Sequence, residues 1–536
     1  MPDPLLKPLM FVGTASDVGK SVITTGFCRI LLQDGYHPAP FKAQNMSLNS
    51  YVTPDGLEIG RAQAVQAEAA GIPCSSDMNP VLLKPTSDSN AQLVLHGRPA
   101  GHQSAYEYFM GKDRAPLWEE VKMAFDRLAR RYHPIVLEGA GSISELNLRQ
   151  RDITNMRMAL YAGADVYLVA DIDRGGVFAS VYGTLALLPP EERVLIRGVI
   201  INKFRGDGRL FEQGRKQLED LTGTPVVGVL PYYRDIHIEE EDSVALEQKP
   251  RSHRPGAFNI AIVLLPHLAN FTDFTFLEKT MPLHVFYTAD PAELIHAQMI
   301  VLPGSKNTIA DLLFLRDRRL DRALLEAEAA GLIVIGICGG YQMMGLTVAD
   351  PFGVEGEPRT VEGLGLLPVH STLGKVKTTV RRTFHFGHET GPLCEGYEIH
   401  MGYTTAGSAL PRPVNFPVGS DRGSAGRSDV GPDGGSAGRS DVEPDGGSAG
   451  GPAGGDVQPD GYYRSASCWG TYMHGILDNR AVIEQLLQQA GSRRPENIQW
   501  SDYAVFKQRQ YDRLAEHIRL HLDLPFIYRS LQGPKT

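Results

Sequence analysis

Two short glycine-flanked segments carry residues able to do covalent chemistry. The first is Gly13-Thr-Ala-Ser-Asp-Val-Gly19-Lys20-Ser21. Its glycines let backbone N–H groups close on phosphate oxygens, and a helix starting there adds the partial positive charge of its amino terminus. In that setting Gly13, Thr14 and Gly19 form a nucleotide cradle, Lys20 reaches the β- and γ-phosphates and the Ser21 hydroxyl ligates Mg²⁺. Five residues separate the two glycines, where the usual phosphate loop has four. The second segment is Gly336-Ile-Cys338-Gly339-Gly340, behind the apolar run Ile333-Val-Ile. Small neighbours permit a sharp strand-to-helix turn that presents the thiol, and the next helix's amino terminus favours a thiolate and aims N–H groups at an oxyanion. A thiol nucleophile needs a base. Of 16 histidines, His474 in Gly470-Thr-Tyr-Met-His474-Gly475 has the best setting.

Two acidic positions are less specific. Glu138 opens Glu138-Gly-Ala-Gly141 at the end of an apolar run, where a carboxylate serves as a helix cap or as a metal ligand. Asp171 and Asp173 follow another such run, at the sheet edge where open parallel sheets bind ligands. They fit a second metal or substrate contact, and Asp173 equally fits a helix start.

Elements must position these groups. Near-continuous apolar runs at 9–12, 135–137, 166–170, 198–201 and 226–230 read as strands of a parallel sheet covered on both faces, with a helix over 21–32. Strand-like runs restart at 260–264, 299–302 and 333–337. The expected fold class is therefore α/β: two doubly wound, mostly parallel-sheet domains, 1–236 and 257–480, joined by a polar linker at 237–256. Residues 418–461 are almost entirely Gly, Ser, Asp, Ala and Pro, with GSAG recurring every 12 residues. So little apolar surface cannot bury a core, and a disordered insertion is expected. A helical carboxy-terminal segment, 481–536, closes the chain, with helices at 482–489 and 503–522.

The 536 residues carry 53 Lys and Arg against 62 Asp and Glu, a formal charge of −9. That balance argues against a protein built to coat nucleic acid or acidic membrane. Five scattered cysteines without a C-x-x-C favour a reduced setting over a disulfide framework. With no signal peptide and no spanning run read in the sequence, a cytoplasmic location is expected, with small-molecule substrates and neither nucleic acid nor membrane as partner.

The long phosphate loop resembles that of dethiobiotin synthetase-type proteins, which use ATP to activate a carboxylate. Phe41-Lys42-Ala-Gln-Asn, the E-G-A-G at Glu138 and Asn202-Lys203 extend the likeness. It implies a substrate-side role for Lys42, Mg²⁺ binding by Glu138 and base reading by Asn202. The elbow G-I-C-G-G-Y-Q and the later T-Y-M-H-G resemble class I glutamine amidotransferases of the cobyrinic-acid branch. So do FKAQNMSLNS, ADIDRGGVFAS, INKFRGD, LPGSKNTIADL and EGYEIHMG, which spread the resemblance over nearly the whole chain. It implies a cobalamin-biosynthesis enzyme with ATP and Mg²⁺ as cofactors and glutamine and a corrinoid as substrates. Cys338 and His474 would be catalytic, with Gly304 and Gly339 giving oxyanion N–H groups, and the b, d, e and g carboxylates of an a,c-diamide would be amidated. The family's usual triad Glu, two residues after the His, is Ile476 here, and spacing alone does not promote Asp478. Amidation of the a and c carboxylates, or a non-catalytic ATP switch, are the competing readings.

Overall fold

The structure, a computed structural model, describes residues 6–85, 90–104, 114–239, 243–387, 390–407, 412–416, 460–495, 497–500 and 502–532. The first sheet comprises β1 (Leu9–Gly13), β2 (Ala39–Phe41), β3 (Ile135–Glu138), β4 (Asp165–Asp171), β5 (Ile196–Phe204) and β6 (Val226–Pro231). Its order is β6-β5-β4-β1-β3-β2, and every pairing is parallel. All five residues of β1 are buried, as a strand covered on both faces requires. Helix α1 (Lys20–Gln33) leaves β1 through the glycine loop and packs Phe27 on Phe11, ring centroids 4.7 Å apart. The strand extends one residue beyond the apolar run at each end, and Arg197 pairs with the buried Asp165 carboxylate at 2.9 Å.

The second sheet contains β7 (Phe258–Val263), β8 (Leu283–Thr288), β9 (Met299–Leu302), β10 (Ile333–Ile337), β11 (Tyr462–Ser465) and β12 (Cys468–Thr471). Its order is β8-β7-β9-β10-β12-β11, parallel except for the β11–β12 pair. Against it lies a mixed sheet that the apolar runs did not announce, built on the long ribbon Val369–Phe386 and Leu393–Ala406. Burial alternates only at its two ends, 369–373 and 383–386, and is partial between them, so no continuous apolar run marks it.

Two segments behave differently from their composition. In the polar stretch 237–256, Glu239 is buried, because Arg61 donates to it at 2.8 Å and the Tyr503 hydroxyl at 2.7 Å. The closing helices α2 (Tyr503–His521) and α3 (Leu524–Gln532) return to the first domain and join its core. Gly26 of α1 faces them so closely that a Cβ there would lie 2.2 Å from Ile518. Arg29 pairs with Asp512 at 2.7 Å, and Lys7 N–H donates to Leu531 O at 2.9 Å. The Gly/Ser-rich stretch at 418–459 lies outside the described residues. Among the described residues, no helix is long and apolar enough to cross a membrane.

Candidate functional site: a phosphate loop and a thiol centre

The carboxyl ends of β1, β3 and β5 bring the first group together, at the edge where open parallel sheets bind ligands. Gly19 has φ +100°, in the left-handed region, and Gly13 has no room for a Cβ, which would meet Ala15 O at 2.7 Å and Lys20 Nζ at 2.9 Å. Lys20 Nζ donates to the carbonyls of Ala15 and Gly141, both at 3.0 Å, so the ammonium is held across the loop. Asn202 donates to Val18 O at 2.8 Å, tying β5 to the loop. A cavity of ≈ 870 Å³ opens here, lined by Lys20, Ser21, Lys42, Glu138 and Asn202 and, from the second domain, Phe271. That volume lies toward the upper end of small-molecule sites.

Glu138 is the hub. Its Oε1 accepts from the Ser21 hydroxyl at 2.7 Å and Lys42 Nζ at 2.8 Å, and its Oε2 from Gln66 Nε2 at 2.6 Å. Burial would raise this carboxyl, but Lys42, Ser21 and Gln66 outweigh it and hold the group below the usual carboxylate range. A carboxylate and a hydroxyl at contact distance are the hard oxygen donors that Mg²⁺ takes, together with phosphate oxygens. Gln66 Oε1 is buried without a partner among the described residues, a further oxygen that a hydrated cation would satisfy. The residues present therefore fit ATP and a divalent cation. Gln66 was not singled out from the sequence. The available signal was a helix, Arg61–Ala69, that buries polar Gln63 and Gln66 completely. Asp171 pairs with Lys203 at 3.0 Å and Asp173 with Arg205 at 2.6 Å.

The second group forms beyond β10. Cys338 has φ +52° and ψ −110°, a conformation that costs a non-glycine residue about 1–3 kcal/mol and marks a strained elbow. The helix Gly339–Met344 presses so near β9 that a Cβ on Gly340 would lie 2.1 Å from Leu302 O. Its neighbours Gly304 and Gly339 wall the thiol: a Cβ on Gly304 would stand 3.1 Å from the His474 ring and 3.8 Å from Cys338 Cβ.

His474 is 2 % exposed and donates through Nδ1 to Asp273 Oδ2 at 2.7 Å; Asp273 Oδ1 accepts from Gly475 N–H at 3.1 Å. Burial would lower the imidazolium pKa, but the charges of Asp273 and Cys338 and hydrogen bonds to both raise it to about 10. A carboxylate 201 residues upstream, Asp273, thus holds the imidazole, while Ile476 occupies the place of the family's usual Glu. A lone acid inside Phe271-Thr-Asp-Phe274 was the signal, since a carboxylate in an apolar stretch needs a buried partner. Asp478 does not bond His474; burial, then the charge of Glu239, raises it to about 8. Tyr397 stacks on His474 with centroids 5.4 Å apart, and Tyr51 of the first domain packs edge-on against Tyr397.

With a nucleotide cradle in one parallel sheet and a thiol–imidazole–carboxylate relay in the other, the chain is a glutamine-hydrolysing, ATP-dependent amide ligase. Residues 9–244 match the CobQ/CobB/MinD/ParA nucleotide binding domain, and residues 259–482 the CobB/CobQ-like glutamine amidotransferase domain. Cobyric acid synthase of Bacteroides fragilis is 55% identical over 98% of both chains. That of Phocaeicola vulgatus is 54% identical over 98% of this chain and 99% of its own, and that of Syntrophobacter fumaroxidans 45% over 98% of both. The chain belongs to the cobyric acid synthase family.

Proposed function

We propose that the protein converts an (adenosyl)cobyrinic acid a,c-diamide to cobyric acid by amidating its b, d, e and g carboxylates in turn, with ATP and glutamine. A carboxylate oxygen of the corrinoid attacks the γ-phosphorus and the bond to the β-phosphate oxygen breaks, giving an acyl phosphate and ADP. Lys20 and the loop N–H groups spread the charge that develops on the transferred group. Ser21 and Glu138 would hold Mg²⁺, which would supply charge neutralisation for phosphoryl transfer. Lys42, held on Glu138 and lining the cavity, would serve the corrinoid carboxylate. Asn202, tied to Val18 O at 2.8 Å, would read the nucleotide base.

At the other centre the Cys338 thiolate attacks the glutamine amide carbon, with Gly339 and Gly304 N–H groups receiving the oxyanion. His474 protonates the departing nitrogen, which leaves as ammonia, and water then cleaves the thioester to glutamate. Ammonia displaces phosphate from the acyl phosphate at the first centre. One observation carries the pairing: Leu268 and Phe271 line the nucleotide-side cavity, and Asp273, two residues on, holds His474. A mass-spectrometric assay of corrinoid products with ATP, glutamine and the a,c-diamide tests the proposal; four successive amidations are expected. Product from unamidated cobyrinic acid alone, stopping after two additions, would favour the a,c-amidating reading. ATP hydrolysis without any amidated corrinoid would favour a switch, a reading that leaves the thiol centre without a use.

A further inference from the structure

Between the two centres, where the domains meet, lies a group of charges that neither reaction step uses. Glu58, on the short strand Glu58–Gly60 of the first domain, is fully buried and accepts from Lys84 Nζ at 2.7 Å and from Lys377 Nζ of the long ribbon. Burial would raise the Glu58 carboxyl, but Lys377 and Lys84 outweigh it and keep it ionised. Lys84 also donates to the Ser50 hydroxyl at 2.8 Å. A third lysine, Lys306, donates to a neutral acceptor, Gln92 Oε1, at 2.8 Å. Glu355 is near enough to act on Lys306, yet it accepts from Ile309 N–H at 3.1 Å at the head of the helix Thr308–Asp317.

Three ammonium groups thus face two carboxylates, one of them committed to a helix terminus. Burial first, and then mutual repulsion with Lys377 and Lys84, pushes Lys306 well below the ordinary lysine range. Burial likewise brings Lys377 down to about 8. An unbalanced positive charge in a desolvated place is costly, and one anionic group would relieve it.

The cluster stands beside the thiol. Lys306 is two residues past Gly304, whose Cβ position is 3.8 Å from Cys338 Cβ, and the intervening Ser305 N–H abuts Gly339. Lys377 is close enough to Cys338 for the two to interact electrostatically. In glutamine the α-carboxylate carbon is four bonds from the amide carbon, about 5 Å when extended. We propose that Lys306 and Lys377 form the subsite for the α-carboxylate of glutamine, and that Glu58 of the synthetase domain, held by Lys84, takes its α-ammonium. The inference rests on the reading that Cys338 takes glutamine. It makes the glutamine site a product of both domains.

The test uses the full-length enzyme with ATP and corrinoid, following ammonia release from L-glutamine and from L-glutaminamide, whose α-carboxylate is replaced by a neutral amide. Lys306→Met is expected to raise KM for glutamine about ten- to a hundredfold, the loss typical of a charged hydrogen bond, with kcat little changed. It is also expected to erase the preference for glutamine over glutaminamide, while Lys306→Arg restores part of that preference. Ammonium-supported amidation serves as the fold control and should stay near wild type. Equal losses with both amides, or an unchanged KM for glutamine, would overturn the inference alone. A wild-type enzyme that releases no ammonia from glutamine would overturn the amidotransferase reading and the subsite with it.

Discussion

Asp273→Asn isolates the charge that orients the base. Asparagine keeps the side-chain shape and still accepts from Gly475 N–H, so the change removes one negative charge from a pair whose members are 2 % and 3 % exposed. Breaking a buried ion pair costs about 3–5 kcal/mol. Since the imidazolium is the form that gives its proton to the departing nitrogen, the cost falls on the glutaminase barrier. At about 1.36 kcal/mol per tenfold, kcat for glutamine hydrolysis should drop by roughly two to nearly four orders of magnitude. The pH response should move too. His474 is raised to about 10 by Asp273 and by Cys338, so the alkaline limb of glutaminase activity should shift down towards neutrality in the variant. A raised histidine stabilises the fold fully below its unfolded value of about 6.5 and loses that contribution as pH climbs through about 10. Wild-type stability should therefore fall across that window, and the variant's should fall less. Glutamate release measured against pH, with urea unfolding at several pH values, reads both. A variant with glutaminase kcat within threefold of wild type and an unmoved alkaline limb would refute the role of Asp273.

Lys20→Ala should abolish corrinoid amidation with glutamine or with ammonium, because both routes need the activated carboxylate; product from ammonium in this variant would sink the phosphate-loop role. Cys338→Ser should remove glutamine-dependent amidation by several powers of ten while high ammonium at mildly alkaline pH still gives product, which mass spectrometry separates directly. Glu138→Gln should raise the Mg²⁺ concentration for half-maximal activity by about 10–100-fold. It should also flatten the acid side of the stability curve, because the depressed Glu138 carboxyl contributes stability above about pH 4.5 that is lost as pH falls through its folded value. An unchanged Mg²⁺ titration would count against a metal at Glu138.

The parts of the fold that could be read from the chain are those whose local pattern is unambiguous. The runs at 299–302 and 333–337 coincide with β9 and β10 because every residue there faces a covered side. The glycine loop and the Cys338 elbow were legible because their backbone geometry demands particular residues at particular spacings. Asp273 and Gln66 were not, since each acts through a partner distant in sequence, His474 and Glu138 respectively, and pairing across folds leaves no periodic trace. The ribbon 369–386 escaped because its outward positions carry Lys, Arg and Thr, which break an apolar run without breaking a strand. Glu239 looked like linker because its partner, Arg61, lies in the first domain's helix Arg61–Ala69.

The return of α2 and α3 to the first core also sets a timetable for synthesis. Domains generally close in the order in which they leave the ribosome, at about 5–20 residues per second. Here the slot beside Gly26 is filled by Leu514 and Ile518, and the edge at Gly228 by Leu522, nearly 500 and 300 residues downstream respectively. The face of α1 that receives them is made first and covered last, after a wait of roughly 25–100 s at that pace. Meanwhile the buried members of the second core, through Leu486 and Leu487, are already in hand. The first core is therefore complete only once residues 511–531 have been made.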